Sequence, residues 1–374
     1  MNFPKRTNIP ESATFKYEAL SKKPGVINLT VGRPDFDTPT AIKEAAKRAL
    51  DEGKVHYTPT KGIPELREKI SGKLLSENKI EGIDPEKVIV SAGGKQILFE
   101  IMLALVERGD TVALPDPCWV SYPSMVKLAD GNVKWLAAKP ESGFIPDDDF
   151  FNDLENSKAT LLVLNSPSNP TGAVYPKRII EKIIDICDSN GTWIISDEMY
   201  EKFIYEGQHF SPASVYDKTI TVNGFSKEFS MTGWRLGYAA CRDAEVIKKI
   251  NLVQGQSVSC PTSFAQYGAL AAYSAEVRKD VDAMISEFKK RRDYVMKRMS
   301  KIDAVCVKPA GAFYVFPHFG RDDVELADKL IEGGVGSVPG SAFGDCGKGC
   351  IRLSYGSANI KTLGEAFDRI EKVI

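Results

Sequence analysis

Residues 160–197 read TLLVLNSPSNPTGAVYPKRIIEKIIDICDSNGTWIISD, and this stretch predicts the fold. An apolar run over 160–164 is typical of a strand that is covered on both faces. A helix follows, with Pro176 in its first turn and Gly191 placed at its end. A second apolar strand spans 192–196. The helix carries an apolar stripe at helical spacing, formed by Ile179, Ile180, Ile183, Ile184 and Cys187.

The same alternation extends to both sides of this stretch. A strand at 88–91 precedes a helix at 96–107, and further strands are predicted at 111–114 and 218–222. Strands that alternate with helices predict an α/β fold, with a mostly parallel sheet flanked by helices.

The C-terminal part has a different pattern. A long helical pattern covers 276–302, where apolar residues recur at helical spacing. It is followed by shorter elements, namely a strand at 312–316, a helix at 324–331 and a strand at 350–355. The long helix is therefore expected to link the large sheet domain to a smaller C-terminal one.

Composition excludes several classes of function. The 374 residues carry a formal net charge of −1, which gives no support for binding to nucleic acid or to an anionic membrane. No apolar stretch approaches the roughly 20 residues that span a bilayer, and residues 1–12 lack the apolar core of a secretion signal. A cytoplasmic protein is expected.

Neither disulfides nor a metal site are predicted. The seven cysteines are odd in number and irregularly spaced, so they are interpreted as free thiols, with any function of Cys346 and Cys350 left open. The three histidines lie far apart in the sequence, and no cysteine pair has the spacing of a zinc site.

Ligands of a mostly parallel sheet bind beyond the carboxyl ends of its strands. The segments that follow the predicted strands are therefore expected to converge on one site. They are rich in glycine, proline and polar residues, and comprise 93–95, 116–119, 165–172, 197–198 and 226–227.

Lys227 and Arg235 indicate the kind of ligand. Lys227 follows a strand, where burial can lower the pKa of its amine and allow a Schiff base with an aldehyde cofactor. Arg235 lies eight residues further on, and its planar fork suits a phosphate. A covalent anchor and a phosphate clamp are what pyridoxal 5'-phosphate (PLP) requires of a protein. Taken alone, both residues are equally compatible with a solvated surface.

Three further residues suit the ring of such a cofactor. The Asp197 carboxylate can accept a hydrogen bond from a protonated pyridine nitrogen, which keeps the ring an electron sink. Asn169 and Tyr200 can both contact the phenolic oxygen. The alternative roles are a helix cap for Asp197 and an ordinary Asn-Pro turn for Asn169.

Other residues suit the phosphate and the substrate. Gly93 and Gly94 open a helix whose backbone N–H groups can cradle a phosphate, and Lys95 is a cation at that helix start. Trp119 can stack on the cofactor ring or pack in the core. Arg352 lies between two apolar residues of a strand, where it suits a substrate carboxylate or a structural ion pair.

In this order and spacing the motifs resemble a known family. The chain is similar over nearly its whole length to fold-type I PLP-dependent aminotransferases of class I/II, above all to prokaryotic aspartate aminotransferases. The resemblance rests on Gly32 to Pro39, Tyr57 with Gly62 to Arg67, Gly93 to Gln96, Asn165 to Gly172, Ser196 to Tyr200, Ser226 with Lys227, Gly233 to Tyr238, and Arg352 to Ser354.

The resemblance implies a role for each matching residue. It implies catalytic roles for Lys227 as the Schiff-base lysine, Asp197 and Tyr200. Cofactor binding is implied for Gly93, Gly94, Lys95, Trp119, Asn169, Asp197, Tyr200, Ser226, Lys227, Arg235 and, in a neighbouring subunit, Tyr57. Substrate binding is implied for Gly32, Lys95, Trp119, Asn169 and Arg352, with Arg352 on the α-carboxylate and Lys95 on a distal one.

Domain organisation and assembly also follow from the resemblance. It implies a large PLP-binding domain at 37–280. The linker helix and the small domain occupy 281–374, and the N-terminal segment 1–36 joins that small domain. The resemblance also implies a homodimer with shared active sites. Two positions depart from the family, since Arg33 stands where relatives carry an acid and Gly224 where some have serine. The role of Arg33 is left open.

The predicted function is that of an aminotransferase that moves an amino group between an amino acid and a 2-oxo acid by a ping-pong mechanism. Aspartate or glutamate is the favoured donor, and alanine or aromatic amino acids are alternatives. A β-eliminating lyase needs the same PLP-binding residues. A PLP-binding transcriptional regulator is a third possibility, which the short segment ahead of the large domain disfavours.

Overall fold

A computed structural model describes residues 4–374 of the chain, so the first three residues of the predicted N-terminal segment lie outside the described part. The helices of this part are α1 (Ala13–Leu20), α2 (Thr40–Asp51), α3 (Pro64–Ser76), α4 (Gly94–Leu105), α5 (Tyr122–Leu128), α6 (Asp148–Asn156), α7 (Lys177–Asn190), α8 (Phe225–Glu228), α9 (Ala244–Ser257), α10 (Ser263–Ala269), α11 (Ala275–Met299), α12 (Asp323–Glu332) and α13 (Ile360–Val373).

The strands of the same part form three sheets. They are β1 (Ile27–Asn28), β2 (Val88–Ser91), β3 (Thr111–Asp116), β4 (Asn132–Ala137), β5 (Leu161–Asn165), β6 (Trp193–Asp197), β7 (Thr219–Gly224), β8 (Gly237–Cys241), β9 (Tyr314–Val315), β10 (Val335–Gly336), β11 (Val338–Pro339) and β12 (Ile351–Ser354).

The largest sheet has seven strands in the order β2-β8-β7-β6-β5-β3-β4. The pairs β3–β4, β3–β5, β5–β6 and β6–β7 are parallel, whereas β8 runs antiparallel to both of its neighbours. Six strands therefore point the same way, and the predicted mostly parallel α/β sheet is confirmed. Their carboxyl ends meet along one edge, which places the loops that follow them next to one another.

Both faces of this sheet are apolar and covered. In β5, Leu161 and Val163 belong to one buried cluster, and the alternate residues Leu162 and Leu164 belong to another on the opposite face. This is the period of two that a strand imposes on its side chains. The wholly apolar run that predicted the strand follows directly, because helices pack on both faces.

Helix α7 is buried along the predicted stripe, and Gly191 ends it with a φ of 73°. Two details differ from the prediction. Pro176 is the residue before the first helical turn, where its fixed φ sets the entry of the chain. Helix α4 begins at Gly94, two residues earlier than predicted, because Gly93 adopts a φ of 97° and turns the chain directly into it.

One of the two smaller sheets joins the N-terminal part of the chain to the C-terminal part. Strand β1 pairs in parallel with β10, and β12 lies between β11 and β9 in an antiparallel sheet. The predicted long C-terminal helix is present as α11.

None of the described helices is both long and apolar enough to cross a membrane. The seven cysteines all lie in the described residues, and each is a free thiol, as predicted.

Candidate active site

A cavity of about 580 Å³ opens where the strands of the large sheet end. Helix starts, strand ends and the N-terminal segment all contribute to its wall. Most of the predicted site residues line it, namely Gly32, Gly94, Lys95, Trp119, Asn169, Asp197, Tyr200, Ser226, Lys227, Arg235 and Arg352. The predicted convergence of loops that are distant in sequence therefore produces one chamber.

Lys227 lies in the short helix α8, which starts directly at the end of β7. Its Nζ atom donates a hydrogen bond to the backbone carbonyl of Gly32 at 2.5 Å. Burial, together with repulsion from Arg235 and Arg352, lowers the pKa of Lys227 to about 8. The amine is therefore far easier to deprotonate than an ordinary lysine, as a nucleophilic lysine requires.

Gly93, Gly94 and Arg235 form one corner of the cavity. A side chain at position 93 would place its Cβ 2.6 Å from Arg235 Nη2, so glycine allows the guanidinium to approach the start of α4. Arg235 has a φ of 54°, which is strained for a residue with a side chain. Its Nη1 atom donates to the Thr232 carbonyl at 2.9 Å. The corner combines a cation with free helix N–H groups and suits an anion.

Asp197 ends strand β6 and is buried in the cavity floor. The Tyr122 hydroxyl donates to its Oδ2 atom at 2.6 Å, and the Met199 backbone N–H donates to Oδ1 at 3.2 Å. Burial raises the pKa of Asp197 to about 6 although both hydrogen bonds oppose that shift. A cation that bound next to Asp197 would keep the carboxylate ionised.

Tyr200 and Asn169 each contact a residue of the C-terminal part of the chain. The Tyr200 hydroxyl lies 2.7 Å from the Tyr314 hydroxyl. Asn169 accepts a hydrogen bond from Arg352 at its Oδ1 atom, 2.8 Å away, so its amide nitrogen is the end that remains for a ligand. Arg352 also donates to the Thr30 carbonyl at 2.5 Å.

Arg352 is almost fully buried, and two aromatic rings contact its guanidinium. The guanidinium carbon lies 4.8 Å from the centre of the Tyr314 ring and 4.9 Å from that of Phe343. The Nε atom of Arg352 is buried without a hydrogen-bond partner among the described residues. A buried cation with an unused donor and no acidic partner suits a bound carboxylate.

Lys95 follows the glycine pair and lies between two rings. Its Nζ atom is 4.9 Å from the Trp119 ring centre and 5.1 Å from that of Phe15. Burial and the charge of Arg235 lower the pKa of Lys95. Trp119 packs edge-on against Tyr122 at 5.3 Å, so it serves as part of the cavity wall.

The cavity is strongly positive although the chain as a whole is nearly neutral. Its lining includes the acids Glu18 and Asp197 and five cations, namely Arg33, Lys95, Lys227, Arg235 and Arg352. Within residues 4–374 none of these five forms an ion pair with a carboxylate, and burial together with the neighbouring cations lowers the pKa of Lys227. The site is therefore built to receive negative charge.

A buried polar cluster lies behind the turn that follows β6. Lys73 is ion-paired with Glu201, and Asn78 donates to Glu201 at 2.5 Å and to Glu198 at 3.1 Å. His209 lies 2.9 Å from Glu198. Glu198, Glu201 and His209 are close enough to share a metal ion, but protein donors already occupy their oxygens. The cluster serves to fix the turn.

Two predicted site residues lie outside the cavity lining. Gly93 lies directly behind it, against Arg235. Tyr57 is 91% exposed and does not contact this cavity.

Three aromatic residues of the cavity lining were not predicted as site residues from the sequence, namely Tyr122, Tyr314 and Phe15. The first two follow the pattern of core aromatics. Phe15 has no sequence signal beyond its place in α1.

Comparisons with known proteins agree with this geometry. The family described as aminotransferase class I and II matches residues 24–370. A probable aspartate/prephenate aminotransferase of Aquifex aeolicus is 46% identical over 371 residues, or 96% of this chain and 93% of that protein. Aromatic-amino-acid aminotransferase 2 of Thermococcus litoralis is 40% identical over 359 residues, or 94% of this chain and 92% of that protein.

The fold comparison is equally close. The structure of aspartate aminotransferase from Thermus thermophilus with maleate superposes with a TM-score of 0.95 at 40% identity, and the alignment covers 100% of both chains. The resemblance that the motifs predicted is thus confirmed by sequence and by structure. The chain belongs to the aminotransferase class I and II family.

Proposed function

We propose that this family member binds PLP in the cavity and moves an amino group between aspartate or glutamate and a 2-oxo acid. Members of the family use PLP and act on amino and oxo acids. One observation carries the proposal: Lys227 is a partly buried amine with a pKa of about 8, and it lines a cavity together with four further cations.

The residues present fit the cofactor. Its phosphate matches the corner where glycine at position 93 leaves room for Arg235. Its ring nitrogen matches Asp197, the carboxylate that burial leaves ready to gain a cationic partner. Its phenolic oxygen matches the free amide nitrogen of Asn169 and the Tyr200 hydroxyl.

Each of these groups would hold one part of the cofactor. Arg235, Ser226 and the first N–H groups of α4 bind the phosphate, and Trp119 covers one face of the ring. When bound, PLP supplies an electron sink that stabilises negative charge at the substrate α-carbon. Lys227 would anchor the cofactor covalently, and its Nζ atom, when free, would accept and return the proton of the substrate α-carbon.

The cations that are not assigned to the cofactor bind the substrate. Arg352 has an unused Nε donor and binds the α-carboxylate, with Gly32 and Asn169 beside it. Lys95 lines the same cavity, and a second carboxylate of aspartate or glutamate would relieve its repulsion with Arg235. Arg33 also lines the cavity and adds positive charge. Two carboxylate sites favour a dicarboxylic substrate.

Aromatic amino acids are the second candidate substrates. The rings of Phe15 and Trp119 line the same side of the cavity as Lys95, so an aromatic side chain would find apolar contacts there. A β-eliminating lyase would leave ammonia and pyruvate in place of the transaminated product.

Assembly as a homodimer is part of the proposal. Tyr57 is 91% exposed, an unusual state for a tyrosine, and lies outside its own cavity, which suits contact with the phosphate of a partner subunit. The proposed domains are 1–36 with 281–374, and 37–280, and the proposed location is the cytoplasm.

A half-reaction screen tests the function. Each amino acid is mixed with the PLP-loaded protein, and the loss of the cofactor's absorbance band is timed by stopped flow. We expect aspartate and glutamate to react fastest and to yield stoichiometric oxo acid. Release of ammonia and pyruvate from the amino acids would identify a lyase, and a protein that develops no cofactor band would refute the proposal.

Lys95→Ser is expected to lower kcat/KM for aspartate and glutamate and to leave alanine and phenylalanine nearly unchanged. A charge-assisted contact contributes about 1.5–3 kcal/mol, which corresponds to roughly 10- to 150-fold. Lys249→Ser is the matched control, because it removes an exposed lysine that does not line the cavity. Equal losses for acidic and neutral substrates would show that Lys95 serves the cofactor or the fold and not the distal carboxylate.

A further inference from the structure

We propose that Tyr314 is a positioning residue for the reaction, whose hydroxyl orients the proton of Tyr200 and whose ring holds the guanidinium of Arg352. The inference rests on the proposed function, since it assigns to Tyr200 a contact with the cofactor oxygen and to Arg352 a contact with the α-carboxylate. Tyr314 lies in β9 of a small sheet, whereas Tyr200 follows β6 of the large one.

The first part concerns the two hydroxyl groups. Their oxygens are 2.7 Å apart, and the side chains of both residues are almost completely buried. Either oxygen can be the donor in this pair. A hydroxyl has one proton, so Tyr200 cannot donate to Tyr314 and to a cofactor oxygen at the same time.

Binding of the cofactor at Tyr200 would determine which of the two tyrosines donates this hydrogen bond. If Tyr200 donates to the phenolic oxygen, the proton between the two tyrosines must come from Tyr314. That hydrogen bond polarises the Tyr200 O–H group and makes it a stronger donor, because hydrogen bonds in a chain reinforce one another. Tyr314 thereby acts on the cofactor through Tyr200 without contacting the reacting atoms.

The second part concerns the ring. Its centre lies 4.8 Å from the guanidinium carbon of Arg352, which also lies 4.9 Å from the centre of the Phe343 ring. The backbone of Gly32 presses against the Tyr314 hydroxyl so closely that any side chain at position 32 would overlap it. The carbonyl of that same glycine accepts the hydrogen bond from Lys227. Tyr314 thus lies between the groups proposed to bind the cofactor and the substrate.

Tyr314→Phe separates the two parts, because it keeps the ring and removes the hydroxyl. The measurement is a pH titration of the absorbance band of the bound cofactor, with no substrate present. Loss of the Tyr314 donor weakens Tyr200 as a donor to the phenolic oxygen, so the midpoint is expected to rise by roughly half a pH unit. We expect kcat to fall roughly three- to tenfold with KM nearly unchanged.

Tyr205→Phe is the matched control. The Tyr205 hydroxyl donates to the Ala312 carbonyl at 2.6 Å, two residues from Tyr314, and the residue does not line the cavity. Its loss should leave the titration midpoint unchanged. A double variant gives a second check, because the shift caused by Tyr314→Phe should vanish in a Tyr200→Phe background.

Tyr314→Leu removes the ring as well. Without its aromatic face the guanidinium of Arg352 loses a cation–π contact, and KM for amino and oxo acids is expected to rise together by roughly 10- to 30-fold. A thermal-unfolding scan of the PLP-loaded protein accompanies each variant, so that a fall in stability is measured separately from the midpoint and KM.

Three results would overturn the inference while leaving the proposed function intact. The first is a titration midpoint that is unchanged in Tyr314→Phe. The second is a lowered midpoint, which would mean that Tyr200 donates its proton to Tyr314. The third is a shift of the midpoint that Tyr314→Phe still causes in the Tyr200→Phe background. A wild-type protein that develops no cofactor band would overturn the proposed function, and the inference with it.

Discussion

Replacing Lys227 with alanine is expected to lower the rate of amino-group transfer on the order of 10⁴-fold, the largest effect of any single change in this site. The variant loses both the covalent anchor and the amine that carries the proton. The cavity and the remaining cofactor-binding residues stay in place, so PLP should still bind, without a covalent bond to the protein. Single-turnover kinetics with excess aspartate measure the rate, and an absorbance spectrum reports the bound cofactor.

Borohydride reduction identifies the anchoring lysine independently of activity. Reduction of the wild-type protein should fix the cofactor to the peptide that contains Lys227, and mass spectrometry locates the modified residue. Lys69→Ala, which removes a lysine from the exposed face of α3, should react and label like the wild type. A reduced cofactor on any other lysine would show the assignment of Lys227 to be wrong.

Asp197→Asn is expected to slow removal of the α-proton on the order of 10³-fold, which corresponds to about 4 kcal/mol in the barrier. The amide keeps the size of the side chain and its contact with Tyr122, but it cannot neutralise a protonated ring nitrogen. The cofactor ring then withdraws electrons less strongly when the α-proton is removed. Exchange of the α-hydrogen of deuterated aspartate measures this step.

Two further measurements complete the Asp197 test. Asp185→Asn changes an exposed aspartate of α7 in the same way and should leave the exchange rate unchanged. The dissociation constant of PLP should change far less than the exchange rate, because the phosphate and the lysine still hold the cofactor. A near-normal exchange rate in Asp197→Asn would show that Asp197 serves only as an acceptor of local hydrogen bonds.

The sheet could be predicted because its strands and helices have clear periodicities. A four- or five-residue apolar run such as 161–164 has few alternatives once a helical stripe with a terminal glycine follows it. The location of the site could also be predicted, because the carboxyl ends of parallel strands share one edge. Lys227, Asp197 and Asn169 were all predicted to lie in or near segments that follow strands, and all three line the cavity.

The supporting aromatic residues could not be predicted in this way. Tyr122 is separated from Asp197 by 75 positions and Tyr314 from Tyr200 by 114, and each belongs to a buried apolar cluster of the structure. Only the hydroxyl distinguishes them from core phenylalanines, and its partner is set by tertiary packing. Phe15 reaches the cavity because the N-terminal segment folds back over it, which no local pattern encodes.

The unpaired cations of the cavity also bear on the stability of the protein. Folding brings Lys95, Lys227, Arg235 and Arg352 close together, and their repulsion opposes the folded state as long as no anion is bound. Any anion that binds only the folded chain offsets part of this repulsion. Above its dissociation constant, the stabilisation grows with the logarithm of the anion concentration. The charge arrangement that recognises cofactor and substrate therefore also makes the abundance of folded protein in a cell respond to the supply of its own ligands.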